Sequence, residues 1–174
     1  RLQAELTAWL KDGQSTLVTL DTLALELYFQ SKYTEAEPLL REALDRRRET
    51  LGNRHPRTLT SINNLDLLLQ AKGDLAAAEP LCREALEARR ETLGGRHPDT
   101  LFSINNLGVL LKAKGDLAAA EPLLRQALEG QREILGNRHP NTLFSINCLG
   151  ALLQAKGDLA AAEMLVREAL EGRR

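Results

Sequence analysis

The sequence predicts an all-α protein, a solenoid of about four antiparallel helical hairpins. Three observations predict it: a strict internal period of 42 residues, aliphatic side chains at helical spacing within each period, and a composition with only 3% aromatic residues. The abundance of Leu, Ala, Glu and Arg suits helices packed through aliphatic side chains; strands would call for more Val, Thr and Tyr.

The period is marked by His-Pro at residues 55–56, 97–98 and 139–140, each pair 42 residues after the last. The copies beginning at Thr58 and Thr100 share Ser-Ile-Asn-Asn-Leu and Ala-Lys-Gly-Asp-Leu-Ala-Ala-Ala-Glu-Pro-Leu. A further copy runs from Thr142 to Arg174, and a diverged one comes first, with Leu17, Leu20, Leu23 and Leu27 in gap-free register with Leu59, Ile62, Leu65 and Leu69. The expected organisation is therefore an N-terminal helix remnant and loop (1–15, with the loop near Asp12-Gly13) and repeats at 16–57, 58–99, 100–141 and 142–174, forming one solenoid domain. A chain opening on Arg-Leu-Gln without Met reads as part of something longer.

Within a repeat, Ile104, Leu107 and Leu111 mark one helix, and Ala120, Leu124, Ala127 and Leu128 a second. Lys114-Gly115-Asp116 separates them: Gly115 is suited to a left-handed backbone and Asp116 to capping the helix that follows, which makes the hairpin antiparallel. Gly136 stops the second helix, and Pro140 fits the first turn of the next, where a missing N–H costs nothing. Pro38, Pro80 and Pro122 conflict with this pattern because they lie inside the second helix; a bend or a later helix start is expected there. The last copy has Met164 instead.

Ile104, Leu107, Gly108, Leu111, Gly115, Ala120, Leu124 and Ala127 resemble the signature positions of the tetratricopeptide repeat (TPR). The 42-residue period, the Ala-Glu-Pro and the Gly-x-x-His-Pro linker are similar to the longer repeats of kinesin light chains. The resemblance implies a right-handed superhelix whose first helices line a concave surface. Two departures stand out. The small residue at the helix crossing is Ala24, Gly108 and Gly150 but Asp66 in the second copy, a carboxylate that must find water or a partner. The proline that usually ends the second helix is replaced by Arg90 and Arg132, so that helix should run on for another turn or more.

On this reading Phe102, Asn105, Asn106, Val109 and Ala113 form a face distinct from the buried one, with Thr60, Asn63, Asn64, Leu67 and Ala71 before it and Phe144, Asn147, Cys148, Ala151 and Ala155 after it. Gln70, Lys112 and Gln154 flank this stripe. An Asn amide donates and accepts, so a row of them can hold the backbone of an extended peptide, while Phe102 and Phe144 offer apolar pockets. The resemblance implies the same use, since concave-face Asn residues of the family commonly contact bound peptide. The plainer alternative is that Asn63, Asn105 and Asn147 satisfy helix ends or face water. Lys112 could meet an acidic ligand group, although a solvated lysine is the simpler reading.

His55, His97 and His139 stand singly in their linkers, too far apart to converge on one metal; capping the linker before each proline is their expected role. Arg46-Arg47-Arg48 and Arg89-Arg90 near helix C-termini read as a solvated, salt-bridged face. Neither a phosphate loop nor a catalytic constellation is visible, so no enzyme activity, metal or cofactor is expected.

A formal net charge of −1 gives no field toward nucleic acid or an anionic membrane, and no apolar run reaches the roughly 20 residues that cross a bilayer. Cys82 and Cys148 form no metal or redox motif and read as free thiols in a reducing compartment. The expected protein is thus soluble and cytoplasmic, an adaptor or scaffold that binds a protein or peptide on its concave face. Two alternatives accompany it: a structural array that self-associates through uncapped solenoid ends, and the regulatory array of a larger enzyme.

Overall fold

A computed structural model describes residues 13–172, and among them there are eight α-helices and no strand. They are α1 (Gly13–Phe29), α2 (Tyr33–Leu51), α3 (Pro56–Lys72), α4 (Leu75–Leu93), α5 (Pro98–Ala113), α6 (Leu117–Leu135), α7 (Pro140–Lys156) and α8 (Leu159–Gly172). The loop expected near Gly13 is instead helical from Gly13 onward, and the remainder of segment 1–15 before it lies outside the described residues.

The punctuation expected from the sequence is what sets these bounds. Gly115 has φ 86°, and Asp116 caps α6 by accepting from the Ala119 N–H at 3.0 Å. Asp74 and Asp158 do the same for Ala77 and Ala161. Each linker histidine is an N-cap: Nδ1 of His55, His97 and His139 accepts from the N–H of Arg57, Asp99 and Asn141 at 3.1 to 3.2 Å, and proline follows at the first helical position. The linker role expected for these histidines is borne out. The second helices also run on past Arg90 and Arg132, to Leu93 and Leu135.

The prolines lie inside the second helices as expected, but the later helix start is corrected, since α2, α4 and α6 start well before Pro38, Pro80 and Pro122 and enclose them. All three are exposed, so the carbonyl left without its N–H partner sits on a water-facing side of the helix, where its cost is low.

The chain divides into two compact units between Leu81 and Cys82, within α4. In the first, α1 packs on α2 and α2 on α3, around Leu20, Ala24, Leu40, Leu44, Leu59 and Ile62. In the second, α5 packs on α6, α6 on α7, and α7 on α8, with α5 also touching α7; the core holds Ile104, Leu110, Leu124, Leu128, Ile146 and Leu152. Each such leucine or isoleucine contributes about 1.5–3 kcal/mol by leaving water.

The arginine clusters are a second correction. Arg46 stays near the surface, paired with Glu42 at 2.6 Å, but Arg47 and Arg89 are buried. Arg47 Nη1 donates to Asp21 Oδ1 at 3.0 Å and to Ser61 Oγ, and Nη2 donates to Asp21 Oδ2. Arg89 Nη1 donates to Ser103 Oγ at 2.5 Å. Burial pulls the Arg89 guanidinium below its ordinary pKa, and the neighbouring Asp99 and Cys82 oppose that shift. A desolvated guanidinium held by a carboxylate and hydroxyls joins consecutive hairpins; it is not a basic surface.

Candidate peptide-binding faces

Each of the two compact units carries part of the expected stripe. In the second, the first helices of its hairpins, α5 and α7, bring Phe102 and Phe144 together with ring centroids 6.4 Å apart and a 32° tilt. Phe144 is 45% exposed and Phe102 half-buried, so the pair presents an aromatic edge to solvent. Further along α5 and α7 from this pair, Asn147 and Gln154 are exposed, while Val109, Lys112, Cys148 and Ala151 are half-buried. The thiol of Cys148 is pushed up by burial, with a hydrogen bond from Asn105 and the charge of Lys112 pulling the other way.

Asn105 and Asn106 depart from the expected exposed stripe. Asn105 is fully buried, its Nδ2 donating to Cys148 Sγ at 3.6 Å, and Asn106 is buried as well. Asn105 lies at the edge of the stripe that meets the next hairpin, so α7 covers it. It can hold the groove floor in place, but direct contact with a ligand falls to its neighbours.

In the first unit, Asn63 and Asn64 are half-buried and Leu67 is 48% exposed. Gln70 is engaged, donating from Nε2 to Asp66 Oδ1 at 2.9 Å. This supplies the partner that the buried Asp66 carboxyl requires, yet burial still raises its pKa from 3.8 to about 6.

Reading from the later copies alone misses one part of this face. Val18, Leu25 and Phe29 on α1 stand 84 residues before Phe102, Val109 and Ala113, in the same register, and all three are exposed, Phe29 at 81%. Together with Leu67 they form an apolar stripe on the first helices of this unit. Extending the repeat register into the diverged copy is the signal that finds them.

A groove of about 720 Å³ opens elsewhere in the second unit, between α6 and α8 over Leu149 and Leu153, with Arg132 and Glu168 paired at 2.6 Å on its rim. None of the expected site residues lines it.

Among the described residues, no helix is long and apolar enough to cross a membrane. A comparison with curated proteins found no match. Solved structures give clear likenesses. Two are structures of nearly identical TPR-like repeats from a kinesin light chain-like protein of Podosopora anserina. One of them, a single-substitution variant, is 26% identical, with a TM-score of 0.82, and the other is 27% identical, with a TM-score of 0.79; both alignments cover 99% of this chain and 83% of that one. BtubC (BKLC) from P. vanneervenii is 24% identical over 91% of this chain and 63% of its own, with a TM-score of 0.77, and shares the fold. The all-α solenoid of helical hairpins expected from the sequence is the fold these structures share with it. Tetratricopeptide repeat profiles match residues 16–57, 67–133 and 104–174, well over half of the sequence, and the chain belongs to the tetratricopeptide repeat family.

Proposed function

We propose that this chain is a protein-binding module that takes an extended segment of a partner along the faces of its first helices, acting as a cytoplasmic adaptor or scaffold. The observation that carries this reading is the Phe102–Phe144 pair, with the exposed amide of Asn147 one turn on along α7 and that of Gln154 near the far end of the same helix. Aromatic rings give an apolar anchor, and amides that both donate and accept can match a peptide backbone. Lys112 adds one positive charge at the edge of that face. In the first unit, Asn64 and Leu67 together with Val18, Leu25 and Phe29 favour aliphatic or aromatic anchors on the partner. Family membership supports a protein-interaction role in general, since repeats of this kind typically serve as interaction modules. The near-neutral charge favours protein over nucleic acid, and two free cysteines suit a reducing compartment.

Selection from a displayed peptide library tests the reading, with a Phe144→Ala/Asn147→Ala variant in parallel. Enriched peptides should bind the variant about tenfold or more weakly. Binding untouched by the double substitution would sink the assignment of this face.

A second reading, self-association, is favoured by α8. Val166 and Leu170 are 48% and 58% exposed, whereas Leu124 and Leu128, at the same places one repeat earlier, are 0% and 3% exposed. Light scattering decides it: mass rising with concentration and restored to a monomer by Val166→Glu/Leu170→Glu supports association, and a monomer at every concentration rejects it.

A further inference from the structure

The second helices carry a polar side chain at one recurrent station: Arg47 in α2, Arg89 in α4 and Gln131 in α6, spaced by the 42-residue period. In the first unit the geometry of that station is explicit. The Arg47 guanidinium bridges Asp21, on the first helix of its own hairpin, and Ser61, on the first helix of the next. The same register places Gln131 between Asn105 on α5 and Ser145 on α7.

Gln131, Asn105, Ser145 and Thr142 are all 0% exposed. Gln131 Oε1 and Nε2, Asn105 Oδ1, Ser145 Oγ and Thr142 Oγ1 have no hydrogen-bond partner within the protein. Elsewhere the station is satisfied: Ser61 and Ser103 receive an arginine N–H, and the hydroxyls of Thr58 and Thr100 donate to the carbonyls of Arg47 and Arg89 at 3.4 and 3.3 Å. Five orphaned polar atoms, on residues that the repeat register brings to one joint, make a pattern that folded proteins avoid unless a ligand completes it.

We infer that the joint of α5, α6 and α7 holds a buried water site in place of the guanidinium found in the earlier repeats. The donor and acceptor inventory selects water. A cation cannot accept from Gln131 Nε2, and an anion cannot satisfy the carbonyl oxygens of Gln131 and Asn105. Water does both and needs only two to four such partners. Size agrees, since glutamine ends about two heavy atoms short of arginine, which leaves room on the order of a water molecule. The site adjoins the candidate binding face through Asn105, which donates its Nδ2 to Cys148 Sγ while its Oδ1 is one of the orphaned atoms. Water there fixes the orientation of the Asn105 amide and hence the floor under Cys148.

The test pairs crystal structures of the wild-type chain and of Gln131→Arg with magnetic relaxation dispersion of the solvent. The wild type should show an ordered peak within hydrogen-bonding distance of Gln131 Nε2 and of either Asn105 Oδ1 or Ser145 Oγ, with a long-lived water signal. In Gln131→Arg the guanidinium should occupy that density, donate to Ser145, and remove the signal. Direct pairing of the Gln131 amide with Asn105 or Ser145, without density between them, would overturn the inference, as would a relaxation signal equal in the two proteins. Should the variant not fold, the wild-type density decides alone. This inference is independent of peptide binding.

Discussion

Leu124 fills the space that a side chain on Gly108 would need. A methyl group there would lie 2.8 Å from Leu124 Cγ and Cδ2 and 3.4 Å from the Ala120 carbonyl oxygen, and Leu124 is fully buried. Gly150, one repeat later, has only ordinary contacts, its nearest neighbour being Leu165 Cβ at 3.8 Å. Gly108→Ala should therefore lose about 1–2 kcal/mol of stability, overpacking outweighing the gain in helix propensity. Gly150→Ala should gain about 0.5–1 kcal/mol from that propensity. Urea denaturation of the two variants checks the opposite signs, and shifts in the same direction would show that the close approach at Gly108 is unimportant.

The first hairpin turn lacks what later turns have. Ser31 takes φ 59° where the other copies place glycine, and Lys32 makes no side-chain cap where the others place aspartate. A left-handed serine costs about 1 kcal/mol, and a missing cap about the same. Ser31→Gly and Lys32→Asp should each raise stability by about 1 kcal/mol, read as a shift of the denaturation midpoint. A neutral result for both would mean that this turn is already relaxed.

Asp66 makes stability depend on pH. Its folded pKa of about 6 lies above the unfolded value of 3.8, so between those values the folded state binds the extra proton. Stability from this group is fully present below the unfolded pKa and declines as pH rises toward 6, a span worth roughly 1–3 kcal/mol. Asp66→Ala should stabilise the chain at about pH 7 and flatten the profile between about pH 4 and 6. Thermal unfolding across that range provides the check; an unchanged profile in the variant would assign the titration to other groups.

What can be read in the sequence is what is written locally. Gly115 with Asp116, and each histidine with its proline, specify helix ends through contacts within a few residues, and the 42-residue register carries those ends across the repeats. Arg47 and Arg89 escape such a reading because their burial depends on Asp21, Ser61 and Ser103, on helices distant in sequence. Asn105 escapes it for a related reason: helical spacing places it on the stripe, but the neighbouring hairpin decides how far the stripe stays open. The apolar contribution of Val18, Leu25 and Phe29 is hidden by divergence of the first copy, whose residue types change while their positions do not.

Peptide recognition is tested most directly by the nuclear magnetic resonance footprint of a library-selected peptide on the isotope-labelled chain. The predicted result is perturbation concentrated on the exposed stripe of α5 and α7 around Phe102, Phe144, Asn147 and Gln154, or on Asn64 and Leu67 of α3, with α2, α6 and α8 silent. Perturbation centred on Met164, Leu165 and Glu168, around the groove between α6 and α8, would contradict it and move the binding surface to the opposite helices.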